Sequence, residues 1–271
     1  MSTHKDKKVS KEHAQYLKKR RNNKIYINVM RIGLLLALII LWEVAAQLGW
    51  IDTFIMSSPS RVARSLSNLH STGELWMHIG VTVLETVVGF LIGTGLGVLM
   101  AILLWWSVNS RKIAEPYLVV LNSLPKVALG PIIIVWIGAG ASAIITMALL
   151  ISVIVTIMNV LHGFLSISSE KTILMRSFGA NKLQILQKVI LPASVPTIMS
   201  TLKINVGMVM VGVITGEFLV AKEGIGYLIV YGGQVFQLDL VMAGVIVLAA
   251  VAAIMYLGVS KIESMYVKWR K

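Results

Sequence analysis

The stretch AIITMALLISVIVTIMNVLHGFL, residues 143–165, decides the fold of this chain. It contains no Asp, Glu, Lys or Arg. An α-helix rises about 1.5 Å per residue, so about 20 apolar residues cross a hydrocarbon core about 30 Å thick. A run this long and uncharged therefore predicts a membrane-spanning helix.

Five further stretches reach or approach the same length: residues 32–48, 82–104, 118–137, 198–220 and 240–259. The chain is 56% hydrophobic and only 14% charged, whereas soluble domains are about 45–50% apolar and about 25% charged. The sequence has no cysteine, which excludes disulfides and thiolate metal sites, and no alternating pattern suggests a β-barrel. The sequence therefore predicts an all-α polytopic membrane protein with six transmembrane helices.

The net charge of +13 is concentrated before the first span. Positive residues are retained on the cytoplasmic side, where they also meet anionic lipid headgroups. The positive residues cluster in the N-terminal tail and do not form a continuous charged face. We therefore expect this tail to fix the orientation of the chain in the membrane, with binding of a specific partner as the alternative. We expect no binding of nucleic acid. We predict cytoplasmic tails at 1–31 and 261–271, both termini inside, and a membrane domain over 32–260. Arg61 and Arg64 are exceptions, because they are positive residues in the first segment that we expect outside.

Two connections are too long to be simple turns. Within residues 49–81, Val62, Leu66 and Leu69 recur at helical spacing, which predicts an amphipathic helix beside the bundle at the outer interface. The other connection, residues 166–192, faces the cytoplasm in this topology and is described next.

Residues 166–192 predict a helix–elbow–helix segment, which we call the elbow. Ser168 or Ser169 caps a first helix, Gly179 ends it in a left-handed conformation, Asn181 starts a second, and Pro192 stops that one at the membrane. One apolar face is free for a partner protein or for the lipid surface, and spacing alone leaves both uses open. The second helix can turn a different set toward the bundle: Leu183, Leu186 and Ile190.

Several motifs carry a family resemblance over residues 30–260. The segments SFGA (177–180) and VILP (189–192) keep the spacing of the cytoplasmic signature of ABC importer permeases. LPKVAL (124–129), with WIGAG at 136–140, and GEF (216–218), with GIGY at 224–227, resemble the branch that imports nitrate, sulfonates, taurine and similar small solutes. The chain is therefore similar to the membrane-spanning permease subunits of this binding-protein-dependent family.

This resemblance implies a type I importer permease in a bacterial-type cell membrane, paired with a second permease copy as a homodimer. It also implies a separate ATPase at the elbow and an extracytoplasmic solute-binding protein. The family's Glu-Ala-Ala falls here on Ile173-Leu174-Met175, so docking should depend more on apolar contact. The residues expected to couple to the ATPase are Glu170, Ile173, Leu174, Ser177, Phe178, Gly179, Ala180, Leu191 and Pro192.

No residue pattern supports chemistry within the chain itself. It lacks a G-x-x-x-x-G-K-[ST] phosphate loop, and its five histidines have no metal-ligand spacing. We therefore expect no catalytic residue, metal or cofactor here, with ATP and magnesium bound in the partner subunit. The alternatives are a passive channel, which needs no elbow, and a membrane-embedded enzyme, for which no acid/base cluster can be assembled.

Polar residues within the spans are candidates for the translocation path or its gate, because each is costly in lipid. Lys126 can extend to the cytoplasm or contact solute, and either Lys126 or Lys203 would favour an anionic cargo. Glu217 precedes an outer loop and can hold a gate or a docking surface. Gly93 and Gly97 suggest close helix packing, with a solute path as the alternative. The path candidates are Glu85, Asn122, Pro125, Lys126, Asn159, Asn205 and Glu217.

Overall fold

The computed structural model describes residues 11–268, and every regular element within that range is helical. A 3-10 turn, Lys126–Leu129, precedes α6, and a π-helical turn, Leu186–Ile190, joins α9 to α10. The α-helices are α1 Lys11–Gln47, α2 Thr53–Met56, α3 Pro59–Ser71, α4 Glu74–Trp106, α5 Val108–Ser123, α6 Gly130–Ile137, α7 Ala141–Leu165, α8 Ser169–Ser177, α9 Lys182–Ile185, α10 Leu191–Val220, α11 Ile225–Gln234 and α12 Leu238–Lys268.

Five helical segments are long and apolar enough to cross a membrane, which confirms the predicted all-α polytopic fold. The third predicted span, 118–137, is not one straight helix, because α5 and the segment Lys126–Ile137 meet at 88°. Pro125 explains the break. It lacks an N–H, and it biases Leu124 to the extended conformation observed, with φ −65° and ψ 138°. Counted as one span, the bent pair brings the total to six.

The chain divides into two compact units, residues 1–63 and 64–271. In the first, α1 is 37 residues long and begins at Lys11, inside the segment predicted as a basic tail. Lys and Arg are good helix formers, so charge does not end the helix. Glu43, an acid near the end of α1, accepts hydrogen bonds from Gln47 Nε2 at 3.0 Å and from the Ser60 N–H at 2.9 Å. Of the predicted tails 1–31 and 261–271, residues 1–10 and 269–271 lie outside the described residues.

In the second unit, α7 packs between α4 and α10. Glycines bring α4 close to α7, because a Cβ added at Gly93 or Gly97 would collide with the facing side chain. A Cβ built on Gly95 meets no described residue within 4 Å. The expected packing use of Gly93 and Gly97 is therefore confirmed. Along this seam Gly89, Gly93 and Gly97 face, in order, Ala148, Ser152 and Thr156.

The contact between α7 and α10 is equally close. A Cβ at Gly212 would lie 2.5 Å from the Ala148 Cα, and one at Gly216 would lie 2.9 Å from the Ile144 Cα. Both neighbours are backbone atoms, which cannot rotate away as a side chain does. Because glycines bring α7 close to both α4 and α10, the three helices form a tightly packed centre for the unit.

We call the end of this bundle where α4 and α7 terminate the elbow end, and the end where they begin the far end. The core at the elbow end combines residues of α4, α7, α9 and the π-helical turn: Ala101, Leu104, Ile157, Val160, Leu161, Phe164, Ile185, Leu186 and Ile190. At the far end, Leu69 of α3 packs with Leu228 and Leu240. This contact confirms that the predicted amphipathic helix lies beside the bundle.

Candidate functional site

The elbow is built by helix caps that are local in sequence. The Ser168 side chain accepts a hydrogen bond from the Glu170 N–H at 3.3 Å and starts α8. Gly179 follows α8 with φ +78°, a conformation that side chains with a Cβ rarely adopt. Asn181 and Gln184 then form a reciprocal capping box, with both bonds at 2.8 Å. These positions match the predicted start, turn and restart of the elbow.

Pro192 does not stop the second helix, contrary to the prediction. The chain runs on in helical form from Lys182 to Val220 through the π-helical turn. Pro192 lies in the first turn of α10, where its missing N–H has least consequence. The carbonyl of Lys188, four residues earlier, belongs to the wider π turn, which relieves the clash that proline normally causes in a helix.

The elbow has an exposed side and a bundle-facing side. Ile173 is 59% exposed, Leu174 56% and Phe178 77%. Glu170 is also exposed, in the first turn of α8, and the Ser177 hydroxyl bonds back to the Ile173 carbonyl at 3.2 Å. The exposed part of the predicted coupling set therefore lies along α8 and its C-terminal turn.

Other members of the predicted coupling set face the bundle. Ala180 and Leu191 are partly buried against the elbow-end core, and Pro192 is half-buried. In the second helix, Leu186 and Ile190 are buried as expected, but Leu183 is 48% exposed. Ile185 occupies the core instead, because the π turn changes which side chains share a face. The surface available to a partner is thus narrower than the predicted set.

A second polar arrangement, the far-end cluster, consists of Glu217 and the residues bonded to it. Glu217 is only 1% exposed. Its Oε1 accepts from the Thr82 hydroxyl at 2.7 Å, its Oε2 accepts from the Gly226 N–H at 2.5 Å, and the Tyr227 N–H donates as well. Because this carboxyl group is buried, it does not belong to an exposed docking surface, which was one of its two expected roles.

The far-end cluster caps α11 with side chains from a distant helix. Thr82 Oγ1 also accepts from the Ile225 N–H at 2.8 Å, and His78 Nδ1 accepts from the Gly224 N–H at 2.9 Å. The first N–H groups of a helix have no partner within it. Here two residues of α4 and Glu217 of α10 supply those partners, so the start of α11 is fastened to both helices.

Glu85 completes this cluster. It is 4% exposed and its carboxyl group lies close to that of Glu217. The Glu85 Oε2 has no hydrogen-bond partner among the described residues. Glu85 also lines a cavity of about 530 Å³ beside residues 139–141 and 220–223.

The remaining path candidates are dispersed. Asn205 is fully buried and donates to Thr94 Oγ1 at 2.9 Å and Thr156 Oγ1 at 2.6 Å, so it links α10 to α4 and α7. Asn159 is partly exposed on α7, away from these bonds. Of the predicted path residues, the buried cluster brings together only Glu85 and Glu217.

The lysines in the spans already have partners. Lys126 Nζ donates to the Asn122 carbonyl at 2.8 Å across the helix break, while Asn122 and Pro125 are exposed beside it. Lys203 forms an ion pair with Glu263 and so joins α10 to α12. The positive charge of Lys203 is therefore compensated within the chain, which weakens its use as an argument for an anionic cargo.

The sequence analysis did not identify the α4 residues that accept hydrogen bonds from the start of α11. His78 and Thr82 are four residues apart on α4, and Glu85 and Thr86 follow on the same helix. Four polar residues at helical spacing in an apolar helix are a signal for a buried polar face. Nothing in their spacing names α11 as the partner, because the bonded residues are 143 to 146 positions apart.

The chain is similar in sequence to a known protein family and to named transport proteins. Residues 93–264 match the family model described as the inner membrane component of binding-protein-dependent transport systems. A Haemophilus influenzae protein named "Probable ABC transporter permease protein" is 31% identical over 82% of this chain and 90% of its own length. A Bacillus subtilis protein named for aliphatic sulfonates transport is 27% identical over 97% of this chain and 95% of its own.

The fold has solved counterparts. A bacterial ABC transporter involved in the import of the acidic polysaccharide alginate aligns with a TM-score of 0.66 at 16% identity, covering 93% of this chain and 99% of the other. A sequence identity of 16% supports a likeness of fold alone. Together with the family match over 93–264, it leads to one conclusion. The chain belongs to the inner membrane components of binding-protein-dependent transport systems, as the membrane-spanning permease subunit of an ABC importer.

Proposed function

We propose that the chain forms the transmembrane path for a small solute by alternating access, driven by a separate ATPase that docks on α8. The observation that carries this proposal is the exposed apolar face of Ile173, Leu174 and Phe178 on a segment whose other side is packed into the bundle core. A surface that is apolar outside and anchored inside is suited to receive a push and pass it on.

The topology follows from the same docking. With the ATPase in the cytoplasm, the elbow end and both termini are cytoplasmic, and an extracytoplasmic solute-binding protein delivers cargo at the far end. A second copy of this chain completes the path as a homodimer in the lipid bilayer. ATP and magnesium bind in the ATPase, whose P-loop supplies what this chain lacks, and this chain binds no cofactor.

The cargo class follows from the sulfonate-type branch. The Bacillus subtilis relative is named for aliphatic sulfonates transport, and we propose a small solute such as a sulfonate, nitrate, taurine or a similar small organic compound. Asn122, Pro125, Lys126 and Asn159 are the path candidates with exposed or partly exposed groups, whereas Glu85, Asn205 and Glu217 serve to hold helices together.

Docking can be tested by co-purification of this chain with its ATPase. Phe178→Asp places a charge on the apolar face and should reduce capture of the ATPase at least about tenfold, as loss of an anchor residue does. Gln187→Asp is the matched control, since Gln187 is exposed on the same elbow but outside that face. Equal capture by both variants would contradict the assignment of the elbow.

Transport itself separates an importer from a passive channel. With ATPase and binding protein reconstituted in vesicles, sulfonate uptake should require ATP and should fall in Phe178→Asp in proportion to lost docking. Uptake that proceeds equally without ATP would favour a channel.

A further inference from the structure

Lys182, the first residue of α9, reaches from the elbow to the end of α4. Its Nζ donates a hydrogen bond to the Trp106 carbonyl. The same Nζ lies 5.5 Å from the centre of the Trp106 ring and 5.9 Å from that of Trp105. The two rings meet edge to face at 72°, so they form a corner around the ammonium group. The contact joins residues 76 positions apart in the sequence.

Each of these contacts has a physical reason. Trp106 is the last residue of α4, so its carbonyl has no partner within the helix and lies at the negative end of the helix dipole. An ammonium group is attracted to such a carbonyl and to the faces of aromatic rings. Apolar contacts in the elbow-end core are not directional, whereas this hydrogen bond fixes where the start of α9 stands relative to the end of α4.

The helix that Lys182 holds also carries the far-end cluster. α4 has 33 residues, which corresponds to about 50 Å of helix. At its other end, His78 and Thr82 bind the first N–H groups of α11. A single unbroken helix therefore joins the elbow to the segment that follows Glu217. A displacement of the start of α9 that is passed to Trp106 reaches α11 without crossing a loop.

We infer that Lys182 is a positioning residue that couples the elbow to α4, so that ATPase movement at α8 reaches α11 at the far end. This inference rests on the proposed function, since it requires an ATPase that moves the elbow. Lys182 itself makes no contact with solute in this role. Its contribution is a directional contact between the start of α9 and the end of α4, in addition to the apolar packing of the elbow-end core.

The absence of cysteine in the chain permits a cargo-independent test. Met77 is 45% exposed at the far end of α4, so Met77→Cys creates a unique thiol whose alkylation rate reports movement there. In the complex with the ATPase, ATP with magnesium should change that rate. Lys182→Met, which keeps the stem but removes the charge, should reduce the nucleotide effect about threefold or more, within the range found for residues along coupled elements.

Two further variants distinguish coupling from folding. Lys182→Arg retains the charge and the ring contacts and should restore most of the nucleotide effect. Trp106→Leu removes one ring contact but keeps the backbone carbonyl that accepts from Lys182, so it should reduce the effect less than Lys182→Met does. Lys188→Met, exposed on the same segment, should leave the effect unchanged. ATPase capture should be equal in all of them, because Lys182 lies outside the α8 face.

The outcomes separate the two proposals. If the chain without any Lys182 substitution captures no ATPase, the proposed function fails. If the ATPase is captured and the nucleotide effect on the introduced thiol survives in Lys182→Met, the coupling role is overturned. A captured ATPase with no nucleotide effect even when Lys182 is present would also overturn it, because α4 would then carry no movement to the far end.

Discussion

The elbow and the far-end cluster solve the same problem, the unpaired N–H groups at a helix start, in opposite ways. In the elbow the caps are two or three residues away, at Ser168 for α8 and Asn181 for α9. At the far end the caps of α11 come from Thr82 and His78, 143 and 146 positions away. Local caps let the elbow keep its shape while one face stays free. Distant caps fasten the start of α11 to the bundle.

This difference predicts that substitutions in the far-end cluster reduce the stability of the bundle, that substitutions on the exposed α8 face reduce binding, and that substitutions at the elbow turn have only a local effect. Four substitutions test the comparison, and they are ordered by the expected loss of stability.

Glu217→Ala should have the largest effect. It removes the acceptor for Thr82, Gly226 and Tyr227 at once, and each buried donor left unpaired costs about 1–3 kcal/mol, so we expect a loss of about 3 kcal/mol or more. Unfolding of the purified protein in detergent measures it. Glu223→Ala, an exposed acid six residues later, is the control. Equal stability of the two variants would refute the fastening role.

Thr82→Val keeps the shape of the side chain but removes its hydroxyl, which both donates to Glu217 and accepts from Ile225. The expected loss is about 2 kcal/mol, because two buried groups lose a partner. Thr82→Ser keeps the hydroxyl and should lose clearly less. If serine and valine were equally destabilising, packing of the threonine methyl group and not its hydrogen bonds would explain the effect.

Gly179→Ala should cost about 1–2 kcal/mol through backbone strain alone, since φ is +78° and no described atom lies within 4 Å of an added Cβ. The loss should be confined to the elbow, seen as faster hydrogen exchange over 169–185 with little change elsewhere. Gly207→Ala, equally open but with an ordinary helical backbone, is the control. Faster exchange throughout the bundle would mean that the elbow is not an independent local unit.

Leu174→Ala should change stability least, by no more than about 0.5 kcal/mol, because the side chain is 56% exposed. Its effect should appear in ATPase affinity, weakened about five- to tenfold in a titration of the reconstituted complex. Leu183→Ala, 48% exposed on the other elbow helix, should leave affinity nearly unchanged. A stability loss at Leu174 as large as that of Thr82→Val would erase the contrast between the two regions.

Much of the fold follows from features that are local in the chain. The long apolar runs predict the spans, and Ser168, Gly179 and Asn181 predict the elbow, since a cap or a left-handed turn depends on neighbouring residues only. The small-residue spacing of Gly93 and Gly97 likewise anticipates a close helix contact. Even the break at Pro125 has a local cause, although its 88° angle does not follow from the sequence.

Other features depend on the surroundings of the residue. Pro192 reads as a stop, but a π-helical turn before it allows the helix to continue. Ala180 belongs to the coupling signature, yet it packs against the core. Lys182 reads as one more cytoplasmic charge, whereas its position over two tryptophan rings depends on how α9 lies against α4.

The sequence by itself determined the membrane environment, the number and approximate position of the spans, the elbow and the family resemblance, because hydrophobic length and short-range caps are properties of neighbouring residues. Only the tertiary structure decided which polar groups meet. From the sequence, Glu217 is only an acidic residue in an apolar helix. In the folded chain, Thr82 of α4 and Gly226 of α11 donate hydrogen bonds to its two carboxyl oxygens. Pairing over such distances depends on helix packing, and the periodicity of one helix does not contain that information.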